Sequence, residues 1–345
     1  MAFFFPHPLV NMHTRLITLV SLVASALLLV VLASKTFHLP GKSLVANSPS
    51  RELNLFSVDP HLDAKLARAE KLWEQAVTRR EEMREASGAR EFPDGYIYPF
   101  NVWDFARPSF FCPHDLERVG SLGDGGKVVC GMSRYERESP GPSSGNNAAP
   151  EHIVYSFGIS GDSSFESALL ERTNALIWGY DFSVDGWAKD ITEQQATRTQ
   201  FKKVAIGKET DETRDPAVWS IQDLMEANGH SYIDLIKMDI EGAEFDSISS
   251  FISSVVAGQE GAENVTLPVG QLLVELHFMN APPGLSIPKD LDSWIKWFSD
   301  MEKVGLRPVN NEDNWIGDAG SGKPRFMEYT LINARDKQRN KLLWA

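Results

Sequence analysis

Ile233–Ile248, IDLIKMDIEGAEFDSI, is the stretch whose reading decides the fold. Its first half, Ile233–Ile240, is a short apolar run broken by Asp234, Lys237 and Asp239. That is the pattern of a buried parallel strand with a polar tip. The second half turns at Gly242 and takes helical spacing, so Ala243, Phe245 and Ile248 can share a face. In open α/β sheets, ligands collect at the carboxyl ends of strands, which puts Asp239 and Glu241 where a ligand would sit. The competing reading is that both carboxylates cap the following helix, a frequent use of acidic residues.

Outward from this stretch, strand and helix patterns alternate, as in a parallel sheet with helices on both faces. Ile153–Phe157 reads as the first strand, followed by the loop Gly158–Ser164 and a helix from Phe165 to Arg172. Ala175–Tyr180 is a second strand ending at Asp181, and Phe201–Ile206 a third ending at Gly207. A helix over Val218–Asn228 leads into the fourth strand, Ile233–Ile240. Ser247–Val256 continues a helix, Gln271–Phe278 is a fifth strand, Leu291–Val304 an amphipathic helix, and Arg325–Ile332 a late strand. Lys237, polar in mid-strand, calls for an acidic partner such as Asp239, because a lone buried ammonium is costly.

Before this core, Leu16–Ser34 is an uncharged apolar run of about 19 residues, just long enough at ~1.5 Å each to cross a hydrocarbon layer of ~30 Å. It exceeds the usual apolar region of a cleaved signal peptide, so a retained signal anchor is expected. Basic residues flank both sides (Arg15; Lys35, Lys42, Arg51), so they decide orientation weakly. The expected layout is a tail over 1–15, an anchor over 16–34, a linker and stem helix over 35–91, and a catalytic domain over 92–345. That domain would lie in the lumen of the endoplasmic reticulum or Golgi. The sequon Asn264-Val265-Thr266 agrees with this. The helix over His61–Ala86 carries an apolar stripe through Leu62, Leu66, Ala69, Trp73 and Val77, and fits a stem, a helix packed on the domain, or a short dimerising coil.

The net charge of −13 argues against general nucleic-acid binding, which needs a basic face. Two cysteines, Cys112 and Cys130, are too few for a self-contained zinc site, and no metal is expected. They can form one disulfide in an oxidising compartment. Phe100–Phe111 reads as a packed lid or docking segment. Gly123–Lys127, GDGGK, reads either as a tight hairpin turn or as a glycine loop over a ligand. Glu136–Pro150 reads as a flexible excursion.

The chemistry is expected at the strand ends. Gly158-Ile159-Ser160-Gly161 is a small-residue turn that a ligand can approach closely. Asp181 follows by roughly 20 residues at the tip of the next strand, the interval at which an acid can accept from both ribose hydroxyls. The loop lacks the full G-x-G-x-x-G pattern, which disfavours a dinucleotide and leaves an adenosine-type ligand such as S-adenosylmethionine.

Ile233–Glu244 resembles the DLLKIDVEGAE signature of FkbM-type methyltransferases. GDGGK (Gly123–Lys127), YSFGISGDSSFE (Tyr155–Glu166) and VELH (Val274–His277) resemble a membrane-anchored, methyltransferase-like branch. The resemblance implies a Rossmann-like class I methyltransferase sheet and S-adenosylmethionine as donor. By position, Gly158, Ser160 and Gly161 would form the cofactor turn, Asp181 would hold the ribose, and Asp239 and Glu241 would line the cofactor and acceptor pocket. Two features depart from the pattern: SFGISGD stands where the family carries a DVGAN-like loop, and Glu151-His152 stands where a cysteine is expected. The expected reaction is O-methylation of a hydroxyl or carboxyl group on a small molecule or glycan, with Asp239, Glu241 or His277 as base. For His277 the plainer reading is a strand-end histidine bonded to backbone. Two rivals stand beside this: a non-catalytic scaffold on a degenerate methyltransferase fold, and a nucleotide-sugar enzyme. The latter lacks a DxD triplet and a phosphate-cradling loop.

Overall fold

The structure, a computed structural model, describes residues 59–88, 91, 96–97, 100–136, 152–259, 264–278, 283–323 and 325–344. The anchor expected over Leu16–Ser34 and most of the excursion after Glu136 lie outside the described residues. Among the described residues, no helix is long and apolar enough to cross a membrane.

A seven-stranded sheet organises the domain. In chain order its strands are β3 (His152–Phe157), β4 (Ala175–Tyr180), β5 (Thr199–Lys202), β6 (Ile233–Met238), β7 (Val269–His277), β8 (Leu306–Asp313) and β9 (Phe326–Asn333). Two earlier strands, β1 (Leu116–Val119) and β2 (Lys127–Cys130), form a separate antiparallel hairpin. The order across the sheet is β8-β9-β7-β6-β3-β4-β5. β7, β6, β3, β4 and β5 pair in parallel, and β9 runs antiparallel to both its neighbours, β7 and β8. The chain starts in the middle at β3, winds out through β4 to β5, then crosses back to β6. The order therefore reverses between β3 and β6, the position at which such sheets bind ligands.

Burial on both faces explains why β6 reads as almost continuous apolar sequence, since every one of its residues is buried. Tyr155, Phe157, Ile236, Met238, Leu272 and Val274 point to one face. There they meet α4 (Glu244–Gly258) and α5 (Leu291–Lys303), which supply Phe245, Trp294, Trp297 and Phe298. Val154, Leu235 and Leu273 point to the other face, toward the hairpin and α2 (Ser164–Arg172). The FNVWDFARPSFF segment is no lid: Val102–Ala106 forms a 3-10 turn whose Trp103 is fully buried against Phe278, Trp294 and Tyr329.

Cys112 and Cys130 are disulfide-bonded. Gln271 fixes the hairpin to the sheet by accepting from the Cys130 amide (2.8 Å) and donating to its carbonyl (3.1 Å). The GDGGK segment is thus the turn of a hairpin. The helix over Leu62–Ser87 (α1) packs on the domain. Its Arg80 pairs with Glu302 at 2.5 Å in a buried bridge, Trp73 Nε1 donates to the same carboxylate at 2.7 Å, and Glu70 accepts from the fully buried Arg307 at 2.6 Å.

Three expectations about elements need correction. The run expected as one strand over Phe201–Ile206 breaks, and only Thr199–Lys202 belongs to the main sheet. Ala205–Ile206 instead pairs with Val218–Trp219, which removes the first turn expected of the helix α3 (Ile221–Asn228). Leu306–Asp313 is a strand that the sequence pattern did not reveal. Its polar second half, NNED, carries no alternation signal because it lies at the sheet's edge.

Candidate functional site

The carboxyl ends of the parallel strands β3, β4, β6 and β7 lie side by side on one edge of the sheet. From β3 comes the 158–164 loop. Gly158 has φ 77°, and a Cβ there would stand 1.8 Å from the Asp239 carbonyl oxygen. Its glycine serves the close approach of β3 to β6. Lys237 Nζ donates to the Gly158 carbonyl, so the partner expected to be acidic is a backbone oxygen. Ser160 and Gly161, by contrast, are exposed, and the space beside Gly161 is open.

Asp181 at the end of β4 is buried and clamps this loop. Its Oδ2 accepts from the amides of Ile159 (2.7 Å) and Ser160 (2.8 Å), and its Oδ1 from the amide (2.6 Å) and hydroxyl (2.7 Å) of Ser183. Burial works to raise its pKa, but the donors from Ser160, Ser183 and Ile159 outweigh it and hold the pKa below the usual carboxylate range.

At the end of β6, Asp239 is partly exposed, and its Oδ2 accepts from Lys127 Nζ at 3.2 Å. Burial opposes its ionisation, but the charges of Lys127, Lys237 and His277 win and lower its pKa. Glu241 points outward, with its side chain 77 % exposed. Neither residue caps the next helix. That task falls to Glu244, fully buried, which accepts from the amides of Ile240 (2.8 Å) and Gly242 (2.9 Å) and also from His277 Nδ1 (2.9 Å).

His277 ends β7. It bonds to a side chain, not to backbone as the plainer reading had it. Its Nε2 has Asp239 Oδ1 at 3.7 Å, Glu241 Oε2 at 3.8 Å and Glu275 Oε1 at 3.9 Å. Burial disfavours its charge, but the bond to Glu244 and the charges of Glu244, Asp239 and Glu275 lift its pKa to about 9. Glu275 faces Glu328 directly across β7 and β9. Like charges so placed repel, and two features relieve them. Lys127 bonds Glu328 and lies 3.7 Å from Glu275. Burial, with the charges of Asp239 and Glu328, pushes the Glu275 carboxyl up to about 8.

The structure thus brings Asp239, Glu241 and His277 together and sets Asp181 and the 158–161 turn on the neighbouring strand ends. Sequence reasoning missed Lys127, Glu244, Glu275 and Glu328 as members of this cluster. Lys127 ends GDGGK, and Glu244 and Glu275 stand inside quoted motifs, so a signal existed for three of the four. Glu328 had none, because only the insertion of β9 beside β7 brings it there.

Residues 69–316 match a family described as a methyltransferase domain. Among curated proteins, none matches the chain in sequence. Solved structures with a similar chain path include the fibrillarin pre-rRNA processing protein of Methanococcus jannaschii (10 % identity, 53 % of this chain and 67 % of that one, TM-score 0.31). Others are the 1,6-didemethyltoxoflavin-N1-methyltransferase of Burkholderia thailandensis (11 %, 52 % and 70 %, 0.30) and a TehB-like SAM-dependent methyltransferase of Corynebacterium glutamicum (14 %, 54 % and 82 %, 0.28).

Proposed function

Since the chain belongs to this methyltransferase family, we propose that it transfers the methyl group of S-adenosylmethionine to a hydroxyl acceptor, as an FkbM-like O-methyltransferase. The observation that carries the proposal is the placement of the 158–164 loop, Asp181 and Asp239 on neighbouring strand ends at the reversal of strand order.

The residues present fit the donor. Open space at Gly161 lets the backbone meet its amino-acid end. All four acceptor positions of Asp181 are engaged, but one donor, the Ser183 hydroxyl, is exposed and can rotate away to admit a ribose hydroxyl. The half-exposed ring of Phe182 offers a face to the adenine. When bound, the donor supplies a sulfonium-activated methyl group. The chain's part is to align the acceptor and receive its proton. As the new C–O bond forms, the acceptor hydroxyl becomes strongly acidic, so the ionised Asp239 suffices as base. With its Nδ1 bonded to Glu244 and its pKa lifted, His277 keeps its proton instead of taking the acceptor's.

The apolar run Leu16–Ser34 anchors this domain in a membrane, with the site in the lumen of the endoplasmic reticulum or Golgi. The Cys112–Cys130 bond and the exposed Asn264 of the sequon support that placement. The acceptor is a small molecule or glycan of that compartment.

Calorimetric titration of the full chain tests the reading, with NADH and a UDP-sugar as controls. Saturable binding of S-adenosylmethionine alone is expected. A folded protein that binds none of the three overturns the reading and favours the scaffold.

A further inference from the structure

His277 presents a nitrogen with no hydrogen bond to a point between carboxylates. The residue is 3 % exposed, and its Nδ1 is fixed by Glu244 at 2.9 Å. Its Nε2 faces Asp239 Oδ1 and Glu241 Oε2 at 3.7 and 3.8 Å, too far for hydrogen bonds. These three atoms lie within 4.8 Å of one another. At ~2.0–2.2 Å from a common centre, nitrogen and carboxylate oxygen ligands stand about 3–4 Å apart, and both carboxylate oxygens stand at that spacing from Nε2. Asp239 uses its other oxygen for Lys127, so Oδ1 is available without breaking that pair.

We propose that Asp239, Glu241 and His277 bind a divalent transition-metal cation. Two observations carry this: the convergence of one ligand atom from each residue, and the position of Nε2, which makes no hydrogen bond, on a side chain otherwise locked in place by Glu244. Glu244 does not reach the gap. It holds Nδ1–H, so the proton that a cation displaces is the one on Nε2, whose lone pair then faces the gap, the usual arrangement behind a histidine ligand. One imidazole beside two carboxylates favours Mn²⁺ or Zn²⁺ over Ca²⁺ and Mg²⁺, which prefer all-oxygen shells. Three protein ligands on one side leave positions open toward the strand ends. There an acceptor hydroxyl could coordinate and become acidic enough to lose its proton to solvent water, with Asp239 then serving as ligand instead of base. That last consequence alone rests on the methyl-transfer reading.

The test is Mn²⁺ binding to the full chain in detergent, followed by electron paramagnetic resonance with no methyl donor present. The outcome is therefore separate from that of the donor titration. One saturable Mn²⁺ per chain is expected, with spin-echo modulation from a directly bonded nitrogen. His277→Ala should abolish the modulation and weaken binding at least tenfold. Glu241→Asn should weaken it comparably. Glu241 is exposed with φ 57°, a conformation asparagine accepts, so this variant keeps the fold. Glu244→Gln, which touches no metal, should weaken binding about tenfold. Asp300→Asn, an α5 carboxylate held by Lys296 and Lys303, should leave binding unchanged. The absence of saturable binding, or binding undiminished in both His277→Ala and Glu241→Asn, overturns the proposal. So does a wild-type signal with no nitrogen modulation, which would mark diffuse attraction to acidic groups.

Discussion

Replacing Gly158 with alanine should damage the fold, whereas the same change at Gly161 should damage only the site. Gly158 has φ 77°, where an L-residue costs roughly 1–2 kcal/mol. Its new Cβ would stand 1.8 Å from the Asp239 carbonyl oxygen and 2.8 Å from that carbonyl carbon. Backbone cannot swing aside as a side chain can, so β3 and β6 must part at their tips. Forced rearrangements of this kind cost about 1–3 kcal/mol. The sum is about 2–5 kcal/mol, or roughly 4–20 °C in Tm at ~2–4 °C per kcal/mol for a domain of this order. The same shift displaces Asp239 and the Lys237–Gly158 bond, so donor binding should fall with stability. Gly161→Ala meets nothing within 4 Å and has no positive φ, so its Tm should stay within about 2 °C of wild type while affinity for S-adenosylmethionine drops. Differential scanning calorimetry on both variants, with and without donor, separates the two. A Gly158→Ala protein melting within about 2 °C of wild type would refute the close approach of β3 to β6.

Glu302→Ala strips Arg80 of its buried partner and Trp73 of its acceptor. It should cost about 3–5 kcal/mol in urea unfolding, and a loss below about 1 kcal/mol would mean that α1 is not integral to the domain. Asp181→Asn removes a carboxylate whose folded pKa is depressed. That stabilisation is present above the unfolded pKa near ~3.9 and is lost as pH falls through the lower folded value. The variant should therefore be about 1–3 kcal/mol less stable at neutral pH, and its urea midpoint should decline less than wild type's on acidification; parallel declines would refute the clamp. The disulfide closes a separation of 18 residues, so reduction with dithiothreitol should cost about 3 kcal/mol, and an unchanged melting temperature would sink that estimate.

Much of the architecture is legible in local sequence because local physics fixes it. A strand buried on both faces must be apolar, which is why Ile233–Met238 and Ala175–Tyr180 stand out. A helix against a sheet must carry a stripe, as Leu291–Lys303 does. Asp239 and Glu241 follow from the same logic, since the end of a parallel strand is where the backbone stops pairing and side chains become free for chemistry. Even the departure from a regular glycine fingerprint can be read directly, at SFGISGD.

Tertiary structure decided what those residues do. Sequence marks Gly158 and Gly161 alike as members of one turn, but only the packing of β3 on β6 makes the first a spacer and leaves the second open. Asp181 stands at a strand tip where its sequence interval suggests a ribose, yet in the fold its carboxylate already carries four donors. Glu302 and Arg80 lie more than 200 residues apart, and nothing in either neighbourhood announces a buried pair. The cluster of Lys127, Glu275 and Glu328 exists because one strand, β9, enters the sheet antiparallel and sets its glutamate across from another. Periodicity records which face of an element is buried, a property of neighbours in sequence. Charge pairing and pKa depend on distances between strangers in sequence, and those are set only when the sheet is assembled.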